Sequence, residues 1–220
     1  MPSHREIQCA YLEQNFDVLN TASKGSLWNS YQILRKTSFY GKLDQLKHFN
    51  EEFSRLSIPN IEQEHSLRIE ELGEALEARR SLYDGIGDDL LLLAAFENYM
   101  CSILLKSGYI VHQINGDRSL SQRQKREKIH ISELSEYEDI NFIDVTMNGG
   151  SLLKQNYADV VSISHLQLTG LENLKDRRNK SHFDSQVYST PVLNESFFAA
   201  LEFIINSIET EVRDFWPERL

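Results

Sequence analysis

The segment Lys175–Phe183 reads Lys-Asp-Arg-Arg-Asn-Lys-Ser-His-Phe. It places Arg177, Arg178, Asn179 and His182 within a short stretch of chain. A guanidinium offers a planar fork of donors that matches phosphate oxygens. Histidine is the side chain that gives or takes a proton near neutral pH. Such a set suits RNA cleavage by the RNA's own 2′-hydroxyl. That reaction needs proton transfer at the 2′-oxygen or the leaving 5′-oxygen, which His182 can supply. It also needs stabilisation of charge on the phosphoryl oxygens, which an arginine can supply. Asn179 can orient the phosphate or the histidine. The chemistry calls for no metal and no other cofactor. The 7 histidines and 2 cysteines show no H-x-x-x-H or C-x-x-C spacing of the metal-ligand kind.

The geometry sets a condition on this reading. Arg177 and His182 lie about 140° apart around an ideal helix, whereas Arg178 and His182 share a face. For Arg177 and His182 to converge, the helix must end or distort around Asn179–Ser181. Asparagine tolerates the left-handed conformation and often terminates helices. The plainer structural reading of the same residues is a histidine at a helix end, interacting with the dipole beside two solvated arginines.

The elements around this segment must hold it in place. With only 4 prolines and 10 glycines in 220 residues, long helices are favoured. Ile7, Tyr11, Leu12, Phe16 and Leu19 recur at loose helical spacing over about 4–20. Thr21–Gly25 breaks the pattern, and Ser26 is a plausible cap for a helix with Leu27, Trp28, Tyr31 and Leu34. A third helix carries Leu43, Leu46, Phe49, Phe53 and Leu56. Ser57-Ile58-Pro59-Asn60 reads as a linker, which divides a helical appendage, 1–56, from a main domain, 61–215. The N-terminal helices either stand apart or pack back on that domain; both placements fit the pattern.

Within the main domain, a helix with Ile69, Leu72, Leu76 and Tyr83 precedes the turn Asp84–Gly87. Asp88 or Asp89 then caps a helix over about 89–107 that is apolar nearly all round. All-round apolarity marks a central, buried helix, forming an antiparallel hairpin with the one before. Glu97 falls in its middle. A carboxylate there either sits at a wet edge or takes an internal arginine partner, and the arginines at 177 and 178 are the first candidates.

Residues 108–156 read as an inserted loop or short hairpin, with a weak strand at Ile140–Met147 and a turn at Asn148–Gly150. Arg123, Lys125, Arg126 and Lys128 make a basic run there: by default a solvated face, alternatively a patch that holds a polyanion. The helix carrying Arg177 begins near Gly170 or as early as Asn156. After Thr190-Pro191, Asn194 caps a final helix with Leu201, Ile204, Ile205, Ile208, Val212 and Phe215. The fold class is therefore all-α, a bundle of about five to seven helices.

Composition limits the partners. Lys+Arg 23 against Asp+Glu 33 gives 23 − 33 = −10. Such a chain is a poor general nucleic-acid binder, so any RNA role needs a local basic cluster. Cys9 and Cys101 suggest free thiols in a reducing compartment. The N-terminus carries no apolar signal region, and the apolar run Leu90–Leu105 is interrupted by Glu97-Asn98. These point to the cytoplasm and no membrane.

The residues at 177–182 resemble the signature of the HEPN superfamily, small helical bundles marked by Arg-x4–6-His with a polar residue after the arginine. Arg177 and His182 meet the spacing, while Asn179 follows Arg178; the spacing favours Arg177 as the catalytic arginine. Leu91–Tyr99, with Glu97, is similar to the earlier helix of that family, and the resemblance spans about 61–215. It implies a metal-independent endoribonuclease leaving a 2′,3′-cyclic phosphate, with Arg177 and His182 catalytic and Arg178, Asn179 and Glu97 supporting. It further implies a homodimer with a composite RNA site, and a toxin or abortive-infection role with an antitoxin or defence-system partner. Inactive members serve instead as protein-interaction or RNA-binding modules.

Overall fold

The structure, a computed structural model, describes residues 1–56, 74, 77, 82, 83, 85–181 and 193–218. It is mostly helical, with one small two-stranded sheet among the described residues. Helix α1 (His4–Leu12) starts on a capping box between Ser3 and Glu6. Gln14, at φ 53°, turns the chain, and the Asn15 side chain accepts from the Val18 N–H to cap α2 (Phe16–Leu34). The break expected at Thr21–Gly25 and the cap expected at Ser26 are absent: α2 runs straight through both. Their small residues form the face that is buried. The Ser23 hydroxyl donates to the Ser102 carbonyl at 2.8 Å, and the Ser30 hydroxyl donates to the Ala95 carbonyl at 2.6 Å. Small side chains let two helices approach closely, and that packing outweighs weak helix propensity.

The partner of α2 is α4 (Ile86–Lys106), which follows α3 (Leu43–Leu56) among the described elements. Leu92, Leu93, Ala95, Phe96, Met100 and Leu104 of α4 are fully buried, as an all-round apolar helix should be. Leu19, Leu27 and Leu34 of α2 belong to the same core, so residues 1–56 pack back on the rest. The aspartates at the start of α4 do not cap it. Gly85 holds the cap position, while the Asp88 carboxylate accepts from the Ser38 N–H at 2.8 Å and Asp89 turns inward. The helix expected over 61–83, and the hairpin it would make with α4, fall largely outside the described residues.

Residues 107–164 pack against α1 and α4. Strand β1 (His112–Asn115) pairs antiparallel with β2 (Asn141–Thr146), with Ile114 opposite Phe142. Between them lie α5 (Arg118–Gln124) and a 3-10 turn, Ile131–Glu136. Asn148 does not close a simple turn; its side chain caps the single-turn helix α6 (Gly149–Leu152), followed by α7 (Gln155–Ala158). Helix α8 (His165–Ser181) starts between the two expected points. Gly170 sits inside it, where a Cβ would overlap the Ser196 carbonyl oxygen, so glycine brings α8 tight against α9 (Glu195–Phe215). The Asn194 side chain accepts from the Phe197 N–H, the cap expected for the last helix. Among the described residues no helix is long and apolar enough to cross a membrane.

Candidate functional site

Helix α8 packs on α4 and α9 and carries Arg177 and Arg178 in its last two turns. Successive helical residues point about 100° apart, so the two guanidinia diverge. They reach two carboxylates of α4, Asp89 and Glu97, which are eight residues or about 12 Å apart along that helix.

Arg177 Nη2 donates to Asp89 Oδ1 at 2.7 Å and to the Tyr83 hydroxyl oxygen at 3.0 Å. The Tyr83 hydroxyl donates to the same Asp89 oxygen. The guanidinium also lies over the Phe197 ring, 5.3 Å from its centroid, a cation–π contact. The Asp89 side chain is only 4% exposed. Burial pushes its carboxyl up to about 6, although Arg177 and Tyr83 both pull it down. Arg177 Nε is buried with no acceptor among the described residues. An unsatisfied buried donor costs about 1–3 kcal/mol.

Arg178 Nη1 donates to Glu97 Oε1 at 3.3 Å. That oxygen also accepts from the Gly149 N–H at 2.6 Å, the first residue of α6. A Cβ at Gly149 would stand 2.7 Å from the same oxygen, so the absence of a side chain lets α6 come this close. Glu97 is 26% exposed and Arg178 24%, so this pair is in contact with water. Of the two settings open to Glu97, the structure combines them: an arginine partner at a partly wet edge.

Asn179 is exposed on the last turn of α8. The helix is unbroken at Asn179 and runs to Ser181, the last described residue of this stretch. His182, and with it the Arg177–His182 separation, lies outside the described residues. Among the described residues no group of three or more His, Cys, Asp or Glu is placed to hold a metal ion. A surface hollow formed by Lys47, Asn50, Leu166, Phe198 and Glu202 lies elsewhere. Leu166 is about 16 Å along α8 from Arg177.

Three participants are not evident from local sequence pattern. Asp89 passed for a helix cap, Tyr83 for an apolar contact and Gly149 for a turn residue. The available signal was the pair Asp88-Asp89 next to an unbroken apolar run, which forces at least one acid onto a packed face. A fourth feature lies at α1 and β1. Buried His112 meets His4 Nδ1 through its Nε2 at 2.7 Å and the Tyr11 hydroxyl through its Nδ1 at 2.9 Å. Burial first, then the neighbouring His4, lowers His112 to about 4. The ring is therefore neutral at physiological pH. No family model, curated protein or solved structure matches the chain.

Proposed function

We propose that the chain is a HEPN-like, metal-independent endoribonuclease. Arg177 and His182 act on the scissile phosphate, Arg178 and Asn179 support them, and Glu97 holds Arg178. The observation that carries this reading is the pairing of both consecutive arginines with carboxylates of the central helix. An arginine held by a fixed carboxylate loses less side-chain freedom when it meets a phosphate, so part of the ordering is done in advance. The Arg178–Glu97 pair is open enough to water for a phosphate to reach it. His182 transfers the proton at the 2′- or 5′-oxygen. The products are a 2′,3′-cyclic phosphate and a 5′-hydroxyl. In this reading the chain is cytoplasmic and works as a homodimer, with two motifs over one RNA, as a toxin or abortive-infection effector restrained by a partner protein.

A second reading, a non-catalytic helical module, draws on a different observation. Arg177 is already engaged by Asp89, Tyr83 and Phe197, which is also how an arginine that only ties helices together would look. One experiment separates the two. The purified protein should cleave single-stranded RNA in excess EDTA and leave cyclic phosphate ends. His182→Ala should abolish this with an unchanged helical circular-dichroism spectrum. Equal cleavage by His182→Ala, or none by wild type, rejects the enzyme.

A further inference from the structure

The basic run after α5 is fastened to the segment that follows α6. The Lys154 ammonium donates to the Lys125 carbonyl. The Asn156 amide donates to the Arg126 carbonyl at 2.7 Å, and the Lys128 ammonium donates to the Asn156 carbonyl at 2.8 Å. Beneath them the buried Tyr157 hydroxyl bonds to the Gln124 and Glu127 carbonyls at 3.0 and 2.9 Å. Lys128 and Lys154 are thus held by carbonyl oxygens, which position an ammonium without neutralising it. Two carboxylates of this region are already taken: Arg123 engages both Glu127 and Glu133. No ion pair among the described residues uses Lys125, Arg126, Lys128 or Lys154. On a chain of net charge −10, this is a local cluster of unmatched positive charge.

Aromatic rings adjoin it. Lys128 Nζ lies 5.5 Å from the Tyr109 ring centroid, Tyr109 meets His130 edge to face, and His130 lies next to Phe16. Phe16 is 44% exposed, at the first position of α2. Positioned cations beside an exposed ring, Phe16, and a partly buried one, Tyr109, are the two parts of a surface that takes single-stranded nucleic acid, with phosphates on the cations and bases on the rings. The cluster also joins the candidate site. Helix α6 touches Glu97 through the Gly149 N–H, and a Cβ at Gly150 would meet the Lys175 side chain at 3.8 Å. Lys154 lies two residues beyond the end of α6.

We infer that Lys125, Arg126, Lys128 and Lys154, with Phe16 and Tyr109, form a docking face for single-stranded RNA beside the cleavage site. This rests on the ribonuclease reading for its role, though binding can be measured apart from it. The probe is a fluorescent, fully 2′-O-methylated oligonucleotide, which lacks the hydroxyl needed for cleavage, titrated with the full chain over a range of salt concentrations. Each phosphate contact on a single strand contributes about 0.7 to the salt slope. Lys125→Gln/Arg126→Gln keeps both carbonyls and should leave the melting temperature unchanged. It should weaken binding about tenfold or more at moderate salt and lower the slope by about 1.4. Phe16→Ala should weaken binding at least about fivefold with the slope unchanged, because stacking carries no net charge. No binding by wild type, or the same affinity and slope in the double variant, overturns the docking face. Binding with these signatures but no cleavage in EDTA rejects the nuclease and keeps the face. Cleavage with an unaffected double variant does the reverse.

Discussion

Arg177 and Arg178 are neighbours in the chain, yet their carboxylate partners sit in different media. Asp89 is sealed beneath Tyr83, Phe197 and α8, with 4% of its side chain exposed. Glu97 stands at an edge, 26% exposed, and shares its bonded oxygen with the Gly149 N–H. A buried pair is costly to break because the abandoned charge has no water to return to. An edge pair is cheap to break because water replaces the lost partner. The first contact therefore governs the α4–α8 packing. The second keeps its arginine and carboxylate in contact with water.

The largest expected effect comes from breaking the sealed pair. Arg177→Ala should destabilise the protein by about 3–5 kcal/mol in urea or thermal unfolding. Removing the cation raises the Asp89 pKa further, so the penalty should be larger at pH 8 than at pH 5. A loss below about 1 kcal/mol at pH 8 would equate this pair with an ordinary surface bridge.

The pH profile sharpens the contrast. The folded-state pKa of Asp89 is raised to about 6, so its contribution to stability is fully present below the ordinary carboxylate pKa and is lost as pH rises through about 6. The folded-state pKa of His112 is lowered to about 4, so its contribution is present above the ordinary histidine pKa and is lost as pH falls towards about 4. With about 1.4 kcal/mol per pKa unit, each spans of order 3 kcal/mol, in opposite directions over the same window. Wild-type stability should vary little between pH 4 and 6 from these two groups. In Asp89→Asn only the histidine remains, so unfolding free energy should climb by about 3 kcal/mol from pH 4 to 6.5. A profile in Asp89→Asn parallel to wild type would show that Asp89 does not titrate in this window.

The smallest expected effect is on the edge pair. Arg178→Ala should cost at most about 1 kcal/mol, with little dependence on pH between 6 and 8. In the ribonuclease reading the same substitution lowers cleavage far more than it lowers stability. A drop of several kcal/mol in unfolding free energy would make the Arg178–Glu97 pair as costly to break as the Arg177–Asp89 pair.

Much of this architecture is legible in local pattern. The apolar stripe of α9, its Asn194 cap, the continuous apolar surface of α4 and the strand near 141–146 all follow from spacing within a few residues of each other. The need of Glu97 for a partner is equally visible, since a carboxylate amid leucines and alanines must be answered by something. Other features are hidden for an identifiable reason. Ser23 and Gly170 look like helix breakers because their propensities are weak. They are instead the small residues that let α2 meet α4 and α8 meet α9 at short range. Asp88 and Asp89 look like caps because caps and buried acids are the same residue types at a helix start.

By itself, then, the sequence determines an all-α chain, a buried central helix with one embedded acid, and a run of arginines that could answer it. Helical period and capping act over three or four residues, so they are written locally. Only the tertiary structure decides that Arg177 goes to Asp89 while Arg178 goes to Glu97, and that the basic run is stitched to Lys154 and Asn156. Those partners lie 88, 81 and about 30 residues apart in the chain. At such separations, the choice among several acids and carbonyls follows from which helix faces are pressed together and which remain wet.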